Sequence, residues 1–238
     1  MKIAMWSGPR NLSTTLMYSF AARGDCAVWD EPFYAAYLAE TGLEHPMRSE
    51  VIAANPASPN AIAAECIGPI PQDQRLFYQK HMTVHLIHGF DRKFMRSLKN
   101  AFLIRDPWRV VASYAKKREN PVLADLGFGQ QAELFDEACQ FLGKIPPVID
   151  SDRIRANPRD ALQVLCRALE ISYSDKMLTW PAGPRSFDGV WAPHWYGAIH
   201  QTTGFAGPEG ALPELPANLA RLAESALPNY QRLLEHAI

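Results

Sequence analysis

Hydrophobic positions along this chain alternate between short unbroken runs and longer helical stripes. Lys2-Ile3-Ala4-Met5-Trp6 is an apolar run that stops at Ser7-Gly8-Pro9, the mark of a strand ended by a turn. From Ser13 to Arg23 the apolar residues Leu16, Met17 and Phe20 recur at helical spacing, and Gly24 is a natural stop. Cys26-Ala27-Val28-Trp29 reads as a second strand closed by Asp30-Glu31-Pro32. Strand, helix and strand in this span predict a βαβ unit, with the two strands paired in parallel across a right-handed crossover.

Phe33 to Arg75 is rich in Ala, Asn and Pro and predicts short helices and turns laid over the sheet. Leu76–His81 and Ala101–Ile104 read as further strands, and Pro147–Asp150 as another. Helices are predicted over Trp108–Glu119, Ala132–Leu142, Pro158–Leu169 and Leu219–Leu234; the third carries Leu162, Leu165 and Leu169 on one stripe. Arg185 to Pro216 is loop-rich in Gly and Pro. Strands alternating with helices predict a three-layer α/β fold, a mostly parallel central sheet with helices on both faces. No repeat or linker interrupts the pattern, so residues 1–238 are expected to form a single domain.

Composition narrows the functional classes. A formal net charge of −1, with 47% hydrophobic and 21% charged residues, is that of an ordinary globular protein. It lacks the basic footprint of a nucleic-acid binder, so no nucleic-acid partner is expected. No apolar run is long enough to span a bilayer, and no membrane association is expected. Cys26, Cys66, Cys139 and Cys166 are scattered with no C-x-x-C pair, which predicts reduced, mostly buried thiols in a cytoplasmic protein.

The loop after the first strand is the first candidate site. Gly8, Pro9, Arg10, Asn11, Leu12, Ser13, Thr14 and Thr15 run from a strand's carboxyl end into a helix. Ligands of open α/β sheets bind there, and free amides at a helix start favour an anion. Arg10 adds a bidentate cation and the three hydroxyls add donors. The plain alternative is a strand-to-helix turn with Ser13 as an ordinary cap. Counted as a Walker A motif from Gly8, Ser13 replaces the second glycine and Thr14 the lysine, which disfavours a nucleoside-triphosphate enzyme.

The segment Pro9-Arg10-Asn11-Leu12-Ser13-Thr14-Thr15-Leu16 resembles the P-R-S-G-[ST]-[ST]-x-L loop of sulfotransferases that use 3′-phosphoadenosine 5′-phosphosulfate (PAPS). The family's second signature is an arginine at a strand end, a proline two residues on and a serine eight residues on. Here these are Arg105, Pro107 and Ser113. Val148–Ile154 followed by Asn157-Pro158 is similar to the family's late strand–helix unit, so the likeness covers about Met1 to Leu169. The resemblance implies a P-loop NTPase-like fold, PAPS held at its 5′ side by the first loop, and its 3′-phosphate held by Arg105 and Ser113. Arg185, with Gly189 and Trp191, loosely resembles the family's late cofactor loop. Leu12 stands where the family has glycine. Leucine takes left-handed backbone only at a cost, so a rerouted loop is expected.

The implied chemistry is in-line transfer of a sulfuryl group to a hydroxyl or amine, for which no metal is required. A base must remove the acceptor proton. Glu31, just past the second strand, is the first choice; its alternative is a helix cap beside Pro32. His81 is the rival, one residue from Lys80 where other family branches leave two, a spacing that turns a strand side chain to the opposite face. Lys80 is expected at the leaving-group oxygen. His81 and His85, four apart, are read as packing residues rather than metal ligands, and Trp191, Trp195 and Tyr196 as core. Acceptor-pocket loops are expected at 33–75 and 185–216, for a small-molecule acceptor. Two alternatives stand beside this reading: a P-loop kinase or other nucleotide phosphotransferase, and a non-catalytic nucleotide-binding protein of the same fold.

Overall fold

A computed structural model describes residues 1–238. Five parallel strands, β1 (Lys2–Ser7), β2 (Cys26–Asp30), β3 (Leu76–Met82), β4 (Lys99–Ile104) and β5 (Val148–Asp150), form one sheet in the order β2-β3-β1-β4-β5. The helices are α1 (Ser13–Ala21), α2 (Tyr34–Thr41), α3 (Arg48–Ala54), α4 (Pro59–Ile67), α5 (Pro107–Ala115) and α6 (Leu123–Leu126), then α7 (Phe128–Leu142), α8 (Ser151–Ala156), α9 (Pro158–Ala168), α10 (Ala192–Trp195) and α11 (Ala217–Leu234).

Side-chain alternation on β1 and β4 builds two cores. Ile3, Met5, Ala101 and Leu103 face α1 and α9 through Leu16, Met17, Phe20, Leu162 and Leu165. Ala4, Trp6, Phe102 and Ile104 face the layer holding Val110, Val111, Phe135 and Ala226, from α5, α7 and α11. Both faces are thereby buried, as parallel strands require. All four cysteines are free, with Cys26, Cys66 and Cys166 buried. No helix is long and apolar enough to cross a membrane.

One predicted pairing is corrected. β1 and β2 are parallel but do not touch; β3 lies between them, with Met5 opposite Lys80 on one side and Asp30 opposite Lys80 on the other. A crossover can skip a strand position, and the β3 run is buried along nearly its whole length, which suits an inner place better than an edge. α5 also stops at Ala115, short of the predicted Glu119, and left-handed Asn120 follows in the turn.

The register puts Lys80 and His81 on opposite faces. His81 stacks on Trp6 with ring centroids 4.3 Å apart, beside Phe33 and Phe94, and its Nε2 pairs with Gln79 Oε1 at 3.1 Å. Burial drives its pKa down to about 3. The folded ring therefore stays neutral where the unfolded chain, at its ordinary value near 6.5, takes a proton. The stability this neutral ring permits is whole above about pH 6.5 and is lost as pH falls from there toward 3. Melting followed by circular dichroism is expected to drop in midpoint between about pH 7 and pH 5. His81→Gln lowers the midpoint at neutral pH and flattens that slope; an unchanged slope contradicts the assignment.

Candidate active site

A cavity of about 730 Å³ opens beyond the carboxyl ends of the inner strands. Loop residues Pro9 to Thr15, Glu31, Lys80, Arg105 and Ser113 all line it. Three non-glycine residues in its wall hold left-handed backbone: Arg10 (φ 64°), Leu12 (φ 71°) and Glu31 (φ 45°). Such conformations cost about 1–3 kcal/mol each and persist where surroundings enforce them.

Leu12 takes the backbone conformation a glycine would take, so the expected rerouting does not follow from this residue. Its side chain packs against the α1-side core, which offsets the strain. Leu12 is the N-cap of α1, and no side chain caps the helix. Ser13 is thus not the ordinary cap, and the first-turn amides remain free beside the cavity. Asn11 is buried, its Nδ2 donating to the Leu103 carbonyl at 3.2 Å, which bolts the loop to β4. Gly8 is not part of the cavity lining. A Cβ there would meet the Leu126 carbonyl at 2.8 Å, so close backbone approach demands glycine.

Arg10 Nε donates to Ser113 Oγ at 2.9 Å, and Arg105 Nη1 donates to the Arg10 carbonyl at 2.6 Å. Burial, then the charge of Arg105, lowers the Arg10 pKa. Arg10, Arg105 and Ser113 therefore lie together, the two arginines close enough for the charge of one to disfavour that of the other. Arg105 also meets a carboxylate that no sequence motif marks. Its Nε reaches Glu209 at 3.1 Å and Nη2 bonds the same group, while Arg155 reaches it at 2.8 Å and Arg109 at 3.8 Å. Burial works against the Glu209 charge, but the hydrogen bond from Arg105 and the neighbouring arginines hold its pKa below the usual range.

On the other side of the cavity, the buried Lys80 ammonium donates to Asp30 Oδ1 at 2.8 Å, Glu31 Oε1 at 2.6 Å and the Tyr196 hydroxyl oxygen at 2.7 Å. An ammonium has three protons, and all three are committed, leaving none for a leaving-group oxygen in this arrangement. Burial opposes the Lys80 charge, but Asp30 and Glu31 keep it protonated well above its ordinary range. Tyr196 in turn donates to Asp30 Oδ2 at 2.7 Å. Burial raises the Glu31 pKa, with Lys80 pulling the other way. Glu31 does not act as a side-chain cap of α2, which has none.

His85 joins this group. It lines the cavity, stacked on Tyr34 at 4.4 Å and Tyr37 at 5.0 Å, with its buried Nδ1 unpartnered and 3.8 Å from Glu31 Oε2. Burial keeps it neutral, its pKa well below the ordinary 6.5. Its place in the turn after β3, at the strand's carboxyl end, is the signal that separates it from His81. His81 is brought neither to the cavity nor to Glu31, because it faces the other side of the sheet. Arg185 also lies outside the cavity wall: its guanidinium bonds the Pro181 carbonyl and lies over Tyr18, and its backbone amide donates to Asp188 at 2.8 Å. Trp191 and Tyr196 are buried, as core residues are, yet they form part of the wall together with Trp195.

Fold and cavity define an α/β protein whose first loop and an uncapped helix start share a cavity with a separate buried carboxylate group at the sheet's carboxyl edge. A family model described as a sulfotransferase domain matches residues 1–237, and the chain belongs to that family. Two Arabidopsis thaliana proteins, named branched-chain-amino-acid aminotransferase-like proteins 1 and 2, are 38% and 37% identical to it over 235 residues. The match covers 98% of this chain but only 42% and 41% of theirs, so the chain spans about two fifths of those relatives. Among solved structures, the sulfotransferase domain from the curacin biosynthetic pathway has a similar fold (TM-score 0.51, 15% identity, 94% of this chain and 96% of that one). So does the sulfotransferase domain from the Synechococcus PCC 7002 olefin synthase (TM-score 0.51, 18% identity, 94% and 93%).

The buried cluster carries a stability prediction. Lys80→Met leaves Asp30 and Glu31 buried without their counter-charge, a loss of about 3–5 kcal/mol by urea denaturation at neutral pH. The deficit shrinks at about pH 5, because protonation removes the unpaired charge. A loss below about 1 kcal/mol at neutral pH contradicts this account.

Proposed function

We propose that this chain transfers a sulfuryl group from PAPS to a hydroxyl or amine of a small acceptor. The observation that carries the reading is one cavity holding an uncapped helix start, the Arg10–Arg105–Ser113 cluster and the Glu31 carboxylate. The residues fit the donor's charges: free first-turn amides and hydroxyls suit its 5′ side, and two guanidiniums with a hydroxyl suit a 3′-phosphate. When bound, PAPS supplies an activated sulfuryl group on a phosphate leaving group. Thr14 in place of the Walker lysine weighs against the phosphotransferase alternative.

Glu31 takes the acceptor proton as the acceptor oxygen or nitrogen bonds to sulfur and the bond to the leaving phosphate breaks. Burial raises its pKa, which makes it a stronger base than a carboxylate in water, and Lys80 fixes the group. His85, neutral and 3.8 Å away, flanks the same space. The Arg10–Arg105 side offsets charge gathering on the leaving phosphate. The segments 33–75 and 185–216, which contribute Tyr34, Tyr37 and Trp195 to the wall, are assigned to the acceptor, within a single domain.

Thermal shift distinguishes the donors. The desulfated product, 3′,5′-adenosine bisphosphate, is expected to raise the melting temperature without Mg²⁺. Stabilisation by ATP alone, and only with Mg²⁺, points to a kinase instead. Arg105→Ala is expected to weaken bisphosphate binding by about 1.5–3 kcal/mol, with Arg105→Lys a partial rescue. Unchanged affinity in the alanine variant removes Arg105 from the site.

Steady-state rates test the base. Glu31→Gln keeps the side chain's shape but cannot accept the proton, and is expected to lose roughly 10²–10⁴-fold in kcat while still binding the bisphosphate. The rate falls with pH below the Glu31 pKa as the base becomes protonated. Near-normal turnover with Glu31→Gln, and loss with His85→Asn, transfers the role to His85.

A further inference from the structure

Glu209 sits on a stretch with unusual attachments. Between Ala206 and Leu215 no backbone group bonds another backbone group. The polar ties of this stretch run instead to three arginines. Arg155 Nε holds the Gly207 carbonyl at 2.8 Å, Arg109 Nη2 holds the Gly210 carbonyl at 2.6 Å and Nη1 reaches that of Ala211 at 3.5 Å, and the Glu209 carboxylate meets Arg105, Arg155 and Arg109. Gly207, Pro208, Gly210 and Ala211 around it are exposed, whereas the carboxylate is tucked against the guanidiniums.

Charge and geometry make Glu209 and a phosphate rivals. Glu209 occupies the Nε–Nη2 edge of Arg105, the edge that a guanidinium uses for bidentate anion binding. Another Arg105 donor, on Nη1, is given to the Arg10 carbonyl. A second anion beside the occupied edge would meet the carboxylate's own negative charge. Arg105 and Arg155 both line the cavity, so an anion arriving there reaches the same two guanidiniums.

We propose that Arg105 and Arg155, with Arg109 behind them, form a phosphate site that Glu209 fills as an internal counter-ion, and that a phosphate ester binds by displacing Glu209 and loosening residues 206–212. The site would take a dianionic phosphate monoester. Its assignment to a nucleotide rests on the proposed PAPS function; the exchange itself does not.

Isothermal titration tests both parts. 3′,5′-Adenosine bisphosphate and, separately, pyrophosphate are titrated into the parent, Glu209→Gln and Glu209→Ala. With the rival charge removed, both variants are expected to bind at least about tenfold more tightly than the parent. Amide hydrogen exchange over 206–212 in the parent is expected to rise when the bisphosphate is bound. Equal or weaker binding by both variants overturns the proposal, because Glu209 would then hold the arginines in their binding pose. Exchange that falls over 206–212 overturns it as well. If the bisphosphate binds none of the three proteins, the PAPS function fails and pyrophosphate alone decides: tighter binding by the variants supports the exchange, and equal, weaker or absent binding overturns it.

Discussion

The buried Lys80 ammonium is the point on which the cavity's geometry depends. A charge removed from water is tolerated only where partners take its protons, and here Asp30, Glu31 and Tyr196 take all three. Two of the partners are neighbours in the chain and the third comes from far along it. Asp30 ends β2, Glu31 begins the excursion toward α2, and Tyr196 follows α10. One cation therefore ties the edge strand, the inserted helices and the late loop together at the sheet's carboxyl edge. The strained Glu31 backbone, at φ 45°, persists because this cluster holds its side chain while its amide donates to the Lys80 carbonyl at 2.9 Å.

The two halves of the cavity use charge in opposite ways. On the Lys80 side, two carboxylates surround one cation, leaving negative charge in a water-poor space. On the Arg10–Arg105 side, guanidiniums outnumber carboxylates, and the uncapped start of α1 adds a positive dipole end. A negatively charged end and a positively charged end thus share one space, the arrangement on which the proposed group transfer rests.

Local signals in the sequence carried most of the fold. Strand runs and the α1 stripe lie within spans of about ten residues, where periodicity is read directly, and the two arginine motifs were legible through the family resemblance. The opposite facing of Lys80 and His81 was equally legible, since side chains alternate along a strand. What was not legible depended on distant partners. The slot between β1 and β2 is filled by a strand from beyond residue 75, and no feature of the first βαβ unit reveals that the slot exists. His85 and His81 look alike in the sequence; only the turn after β3 separates them. Glu209 is a single acid in a loop-rich stretch, and its partners Arg105 and Arg155 lie far from it along the chain. Leu12 shows the reverse case. Its mismatch with the family's glycine pattern was plain, but the core packing that offsets the strain was not.

The insertion of β3 between β1 and β2 also orders the folding of the chain. β2 has no strand neighbour except β3, so after α1 has crossed over, β2 has nothing to pair with until the chain has travelled through residues 31–75 and returned. Closing a loop of that length costs entropy before any strand pairing repays it. The same closure brings Lys80 to Asp30 and Glu31. Pairing of β3 with β2 and the meeting of Lys80 with Asp30 and Glu31 are therefore one and the same closure. A nascent chain that has made only the first βαβ segment holds Asp30 and Glu31 in water, as ordinary surface acids.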